Sequence, residues 1–351
     1  MQSLLKITVL IICVFLFENV FSQPEKNYQK AFNELNEMIS GKQEINFKRA
    51  VFVTENAYFD NRFSYTEFCK TIDSYEFMCQ KLMQSRELLY NEKDKEKMSA
   101  HAAIFTLMTD TIPIQIDSNK IAYHLPFSYD FDDISGNKEW SQMFVSKLLV
   151  THKGNCHSLP YLYKIIAEEL GEKAFLAYAP NHTYIKIQSK AYGWFNTELT
   201  SGMFPIDAWL MASGYIHLNS IQNGIYMDTL SEKQSIAACM VDLAHGYEKK
   251  IGISDGKFIL SACDTALKYY PNFINALLVK AETKFQLLDK SENLTKEQFE
   301  KEKAELEQLY MKIHNLGYRQ MPEKMYLEWL VSLKTESAKY QNTKLLNHNN
   351  K

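Results

Sequence analysis

Two short runs, Gly154-Asn155-Cys156-His157 and Asn181-His182-Thr183-Tyr184, hold the side chains best suited to covalent chemistry. A cysteine attacks a carbonyl well only as thiolate, so a nucleophilic one needs a helix N-terminus, a neighbouring histidine or both to depress its pKa. Asn155 is a good N-cap residue. An apolar-periodic run follows through Leu162, Ile165, Ile166 and Leu170, and Gly171 closes it, so Cys156 is expected in the first turn of a helix. The backbone N–H groups of that turn, beginning at Asn155, would then face a developing oxyanion. His182 opens an alternating stretch, so its ring is expected at a strand end facing the helix start, as a base must be. A third group should fix the imidazole. Asn196 and Glu198 stand 14 and 16 residues beyond His182 on the next strand candidate, share a face with Trp194, and leave two choices.

Other residues near these runs have plainer expected roles. His157 is turned about 100° around the helix from Cys156 and faces solvent or a neighbouring loop before it faces a reacting carbon. Trp140 can wall the pocket, with core packing as its main role. Asp130, Asp132 and Asp133 ahead of Gly136 miss the spacing of a calcium loop and read as a solvated turn. No metal is expected, because Cys156, His157 and His182 lack a second Cys-x-x-Cys or His-x-x-x-His pair. No cofactor is expected either. Asn181-His182-Thr183 and Asn293-Leu294-Thr295 match the glycosylation sequon, but a glycan at the first would block the site.

The elements that would position these groups fall into five segments. Residues 1–22 carry Lys6 and an apolar run from Ile7 to Phe17, the layout of a cleavable secretory signal and too short for a comfortable membrane span. Residues 23–110 form a helical N-terminal region, with stripes over Asn27–Ile39 and Ser85–Leu107. Residues 111–232 hold the candidate site. Within them are an edge-strand signal at Ile112, Ile114 and Ile116 broken by Pro113, a helix stripe from Met143 to Leu149 that stops at Gly154, the Cys156 helix, and strands near 174–178, 183–187 and 194–199. Residues 233–334 are helical, with an exposed charged insertion at Lys290–Lys303, and 335–351 form a polar, frayed tail. This is an α+β chain.

The combination of Gly154-Asn155-Cys156-His157 on a helix, Asn181-His182-Thr183-Tyr184 on a strand and Trp194-Phe195-Asn196-Thr197-Glu198-Leu199-Thr200 on the next resembles the transglutaminase-like core of the papain-like superfamily. The resemblance covers roughly residues 110–230. It implies a Cys-bearing helix packed on a small antiparallel sheet, with Cys, His and an acid in that chain order. The family's acid lies about four residues past a strand tryptophan, so the resemblance favours Glu198, in place of the usual Asp. It also implies that an upstream aromatic such as Trp140 can serve as an oxyanion donor. The helices beyond residue 232, with Ala266, Pro271, Ala276 and Ala281, resemble tetratricopeptide pairs, and bacterial proteins fuse such helices to this core.

Composition sets the outer limits. Hydrophobic residues make up 46% and charged residues 23% of 351, with a net charge of -3, which fits folded soluble domains and offers nucleic acid no attraction. Removal of Cys13 with the signal leaves five cysteines, an odd number that exempts one thiol from pairing in an oxidising compartment. The expectation is a secreted or periplasmic thiol-dependent hydrolase or acyltransferase acting on a protein or peptide. A protein partner would sit at the C-terminal helices, and no stable membrane span remains after cleavage. The rival expectation is a catalytically silent scaffold that binds through those helices.

Overall fold

Several helix starts are written into the chain as capping residues. Asn46, Ser64, Ser231 and Thr295 each accept a hydrogen bond from the backbone N–H three residues ahead. Ser231 with Gln234, and Thr295 with Gln298, close full capping boxes. The structure, a computed structural model, describes residues 23–292 and 294–346. The expected signal segment and the sequon at Asn293 lie outside the described residues.

Four helices come first: α1 (Gln23–Ser40), α2 (Phe47–Tyr58), α3 (Tyr65–Ser85) and α4 (Lys95–Thr109). The stripe expected over Ser85–Leu107 is not one helix, because the chain leaves α3 with Arg86 in extended conformation and re-enters helix only at Lys95. Next come the hairpin β1 (Ile112–Asp117) and β2 (Lys120–His124), which form a two-stranded sheet of their own with Pro113 opposite Tyr123, and then β3 (Ser128–Tyr129). A 3₁₀ turn at Trp140–Met143 leads to α5 (Val145–Thr151), β4 (Lys153–Gly154) and α6 (Ser158–Glu169). Strands β5 (Phe175–Ala179), β6 (His182–Ser189) and β7 (Gly193–Thr197) form an antiparallel sheet in that order.

Two short helices, Asp207–Met211 and Leu218–Gln222, precede α7 (Glu232–Ile251), α8 (Lys257–Tyr269), α9 (Ile274–Asp289), α10 (Lys296–Asn315) and α11 (Glu323–Thr335). The protein is a mixed α+β fold of many helices around small sheets. The charged stretch expected as an insertion is for the most part the start of α10, whose Glu302 and Glu305 both pair with Lys284 of α9, at 2.9 and 2.8 Å. The tail is not frayed where it is described. Ile206 N–H bonds to Tyr340 O and Asn342 N–H to Phe204 O, both at 2.8 Å, and Tyr340 is buried.

Helix α6 is the centre of the arrangement. Every residue from Ser158 to Ala167 is buried, Lys164 included, whose Nζ reaches Glu168 and Ala174 O, and α3, α4, β5 and β6 all pack on the helix. Helix α7 packs on α1, α2 and α8, so one continuous core crosses the boundary expected at residue 232.

Candidate active site

The loop before α6 is shaped by two unusual positions. His152, not Gly154, ends α5, at a left-handed φ of 53°. Gly154 answers a different need: a Cβ there would lie 2.4 Å from Ser158 Oγ and 2.9 Å from Leu148 Cδ1, so only glycine lets the chain pass between α5 and α6. Asn155 is fully buried. Its Oδ1 accepts from the N–H groups of His157 (2.9 Å) and Ser158 (3.2 Å), and its Nδ2 donates to Ile134 O (3.3 Å). This corrects two expectations. Regular helix begins at Ser158, two residues past Cys156, and Asn155 takes the N–H groups that were expected to face an oxyanion.

His182 is delivered by a two-residue turn, Pro180-Asn181, between β5 and β6. Proline presets the first turn position and Asn181 adopts φ 56° at the second, a conformation asparagine tolerates. Asn181 Nδ2 donates to Met321 O at 2.9 Å, tying this turn to the segment ahead of α11. His182 then starts β6, and the Cys156 thiol lies 3.7 Å from Asn181 O.

The structure brings Cys156, His182 and Glu198 together and leaves Asn196 out. His182 Nε2 lies 2.5 Å from Glu198 Oε2, and the thiol meets the ring as a hydrogen-bond partner. All three residues are between 2% and 7% exposed, so their mutual fields are little screened by water. Burial alone would raise the Cys156 pKa, but hydrogen bonding and the charge of His182, with help from Tyr326 and the Thr183 N–H, bring it below the ordinary thiol value. Burial alone would likewise lower the His182 pKa, and the charge of Glu198 with the contact to Cys156 raises it instead. Both shifts favour a thiolate beside an imidazolium. Asn196 Nδ2 binds Pro205 O (3.1 Å) and Asp207 Oδ1 (2.8 Å), so it braces the chain after β7 and does not orient His182.

His157 is not on a solvent face. Its ring is mostly covered, with Nδ1 2.8 Å from Met143 O and Nε2 3.1 Å from Asp242 Oδ1. Burial opposes its charge, yet Asp242 prevails and lifts its pKa to about 9. Tyr161 donates to the other oxygen of Asp242 at 2.9 Å. Trp140 does wall the cleft that holds Cys156, but its Nε1 lies 3.7 Å from where a Cβ on Gly246 of α7 would stand. Asp133 is buried, not a solvated turn, and its carboxylate accepts three backbone N–H groups, from Asn137, Lys138 and Glu139.

Several residues at the site carry no signal of that place in the sequence. Tyr326 of α11 places its hydroxyl 3.1 Å from His182 Nδ1 and 3.3 Å from the Tyr129 hydroxyl. Trp329 stands edge-on to His182 at 5.4 Å and stacks on Trp209 at 4.3 Å, closing that side against water. Tyr326, Trp329, Leu330 and Leu333 show in the sequence only as an apolar stripe at helical spacing. The cleft itself holds about 770 Å³ of space not filled by atoms, part of it open to solvent, with Tyr178, Tyr226, Phe273 and Tyr318 among its walls.

No family model matches the chain, and no curated protein or solved structure matches it. The functional argument therefore rests on this geometry and on the resemblance carried by the motif residues.

Proposed function

We propose that the protein is an exported thiol-dependent acyl-transfer enzyme of the transglutaminase-like, papain-like kind, hydrolysing an amide or peptide bond. The observation that carries this reading is the ordering of one imidazole between a thiol and a carboxylate: Cys156 on one edge of His182, and Glu198 2.5 Å from Nε2 on the other. Glu198 fixes the ring and sustains its charge. The Cys156 thiolate attacks the carbonyl carbon, the C–N bond breaks as the His182 imidazolium protonates the leaving amine, and an acyl thioester remains. Water, deprotonated by the now neutral His182, then adds to the thioester carbonyl and releases acid and thiol. An amine in place of water would give cross-linking.

The sequence of α7 on α8, α8 on α9 and α9 on α10 supports a tetratricopeptide-like stack that recruits a protein partner. Export rests on the signal-like pattern of residues 1–22.

The test is competitive alkylation. Iodoacetamide at pH 5–6 should label Cys156 ahead of every other thiol in the full chain, read by mass spectrometry of its peptide. Burial pushes the Cys79 and Cys263 thiols up to about 12 and the Cys239 thiol well above its usual range, so those three should lag far behind. Uniform or absent labelling would sink the enzymatic reading and leave a binding scaffold.

A further inference from the structure

Helix α11, in the region expected only to bind partners, reaches into the reacting centre. Tyr326 is 3% exposed and comes from a part of the chain 144 residues beyond His182. Its hydroxyl oxygen lies 3.1 Å from His182 Nδ1 and 3.3 Å from the Tyr129 hydroxyl, and the Cys156 sulfur stands near enough to act on both phenols. Tyr129 is held there by the parallel pairing of β3 with β4, which sets it opposite Gly154, two residues before the nucleophile. Three separate elements thus converge on one phenol oxygen.

A phenol has one proton to give and two lone pairs to receive with. When His182 is an imidazolium, its Nε2–H goes to Glu198 and its Nδ1–H is directed at the place shared by Tyr326 and the sulfur. Tyr129 can give its own proton to Tyr326. Both lone-pair positions on Tyr326 are then filled by donors, and the acceptor left for its proton is the sulfur. The N–H groups of His157 and Ser158, next along the chain, are held by Asn155 Oδ1 and do not serve the sulfur.

We propose that Tyr326 is a catalytic residue: its hydroxyl, receiving hydrogen bonds from Tyr129 and from His182 Nδ1, donates to the Cys156 sulfur and holds it as the thiolate. This deepens, and rests on, the reading of Cys156 as a nucleophile. The other groups that face the sulfur are the Tyr129 hydroxyl, which also feels the charge of Cys156, and the Thr183 N–H and Asn181 carbonyl of the β5–β6 hairpin. His157, the next residue in the chain, is turned to Met143 and Asp242 through its two ring nitrogens. Burial holds both phenols protonated well beyond their ordinary range, so they remain donors wherever the thiol is ionised.

The experiment compares the full chain with Tyr326→Phe and follows the rate of iodoacetamide labelling at Cys156 from pH 4 to 10. Removal of the hydroxyl should move the midpoint of the rate profile up by about one pH unit, roughly a tenfold slower reaction on the acid side, while the alkaline plateau is kept. Tyr129→Phe should move it the same way by less. An unmoved midpoint in Tyr326→Phe overturns the proposal, and so does a lowered plateau with the midpoint in place, which marks a merely structural loss. Should Tyr326→Phe not fold, an unmoved midpoint in Tyr129→Phe overturns it instead. The parent reading is judged separately by the wild-type midpoint, since an ordinary thiol value there sinks the ion pair, whereas the tyrosine claim is read from the difference.

Discussion

Two histidines flank the same thiol, one buried and one mostly covered, and both are paired with a carboxylate, but their second nitrogens have opposite fates. His157 has Nδ1 on the Met143 carbonyl and Nε2 on Asp242, so each nitrogen is tied to a fixed partner. His182 has Nε2 on Glu198 and turns Nδ1 toward the thiol and the Tyr326 hydroxyl, groups whose protons can move. A carboxylate partner and a raised pKa are therefore not enough to mark a base. What separates the two rings is whether one nitrogen is left facing a group that exchanges a proton in the reaction. The His157 pair instead ties the start of α6, and with it the segment that carries Cys156, to α7.

Loss of the base is the strongest way to break this contrast. His182→Ala should cut labelling of Cys156 at pH 6 by about a hundredfold, and hydrolysis of an activated ester by roughly 10²–10⁴-fold, while His157→Ala changes labelling by less than about threefold once folded protein is selected. Equal losses in the two variants would make the rings equivalent and remove the distinction. Glu198→Gln comes next. With the anionic partner gone, the imidazolium is less favoured and the thiolate with it, so the midpoint of the labelling profile should rise and the rate at pH 6 should fall about tenfold, as one pKa unit requires. A midpoint unchanged in Glu198→Gln would show that Glu198 acts as a packing residue.

The meeting of Cys156 with His182 was legible because both positions depend on local pattern: an asparagine ahead of an apolar helix that begins two residues past Cys156, and an alternating strand at His182. The choice between Asn196 and Glu198 was not, since two residues of equal parity on a strand share a face only while the strand continues. Strand β7 ends at Thr197, and the bridge of Glu198 with Met203 sets the carboxylate at His182 while Asn196 turns to Pro205 and Asp207. Tyr326 was illegible for a different reason. Its spacing with Trp329, Leu330 and Leu333 is that of any buried helix face, and only folding shows that one ring of that face carries its hydroxyl to His182. The tail was misread because its order comes from backbone bonding to Phe204 and Ile206, which polar side chains do not announce.

The smallest expected effect on reactivity, and the one that best sharpens the contrast, comes from Asp242→Asn. The His157 pKa is lifted from its ordinary value near 6.5 to about 9 against the opposing influence of burial, with Asp242 as the main cause. A raised pKa means that the folded state holds the proton more tightly than the unfolded one. The stability this adds is complete below about pH 6.5 and is lost as pH rises through 9. Asp242→Asn removes the charge, so by urea denaturation it should be less stable than wild type by about 1–3 kcal/mol at pH 6, with the gap narrowing toward pH 9. The similar slope that His182 contributes is common to both proteins and cancels in the difference. Labelling of Cys156 should stay within about threefold of wild type. A gap that does not depend on pH would show that Asp242 does not hold the His157 proton, and a large fall in labelling would place the pair in the reaction after all.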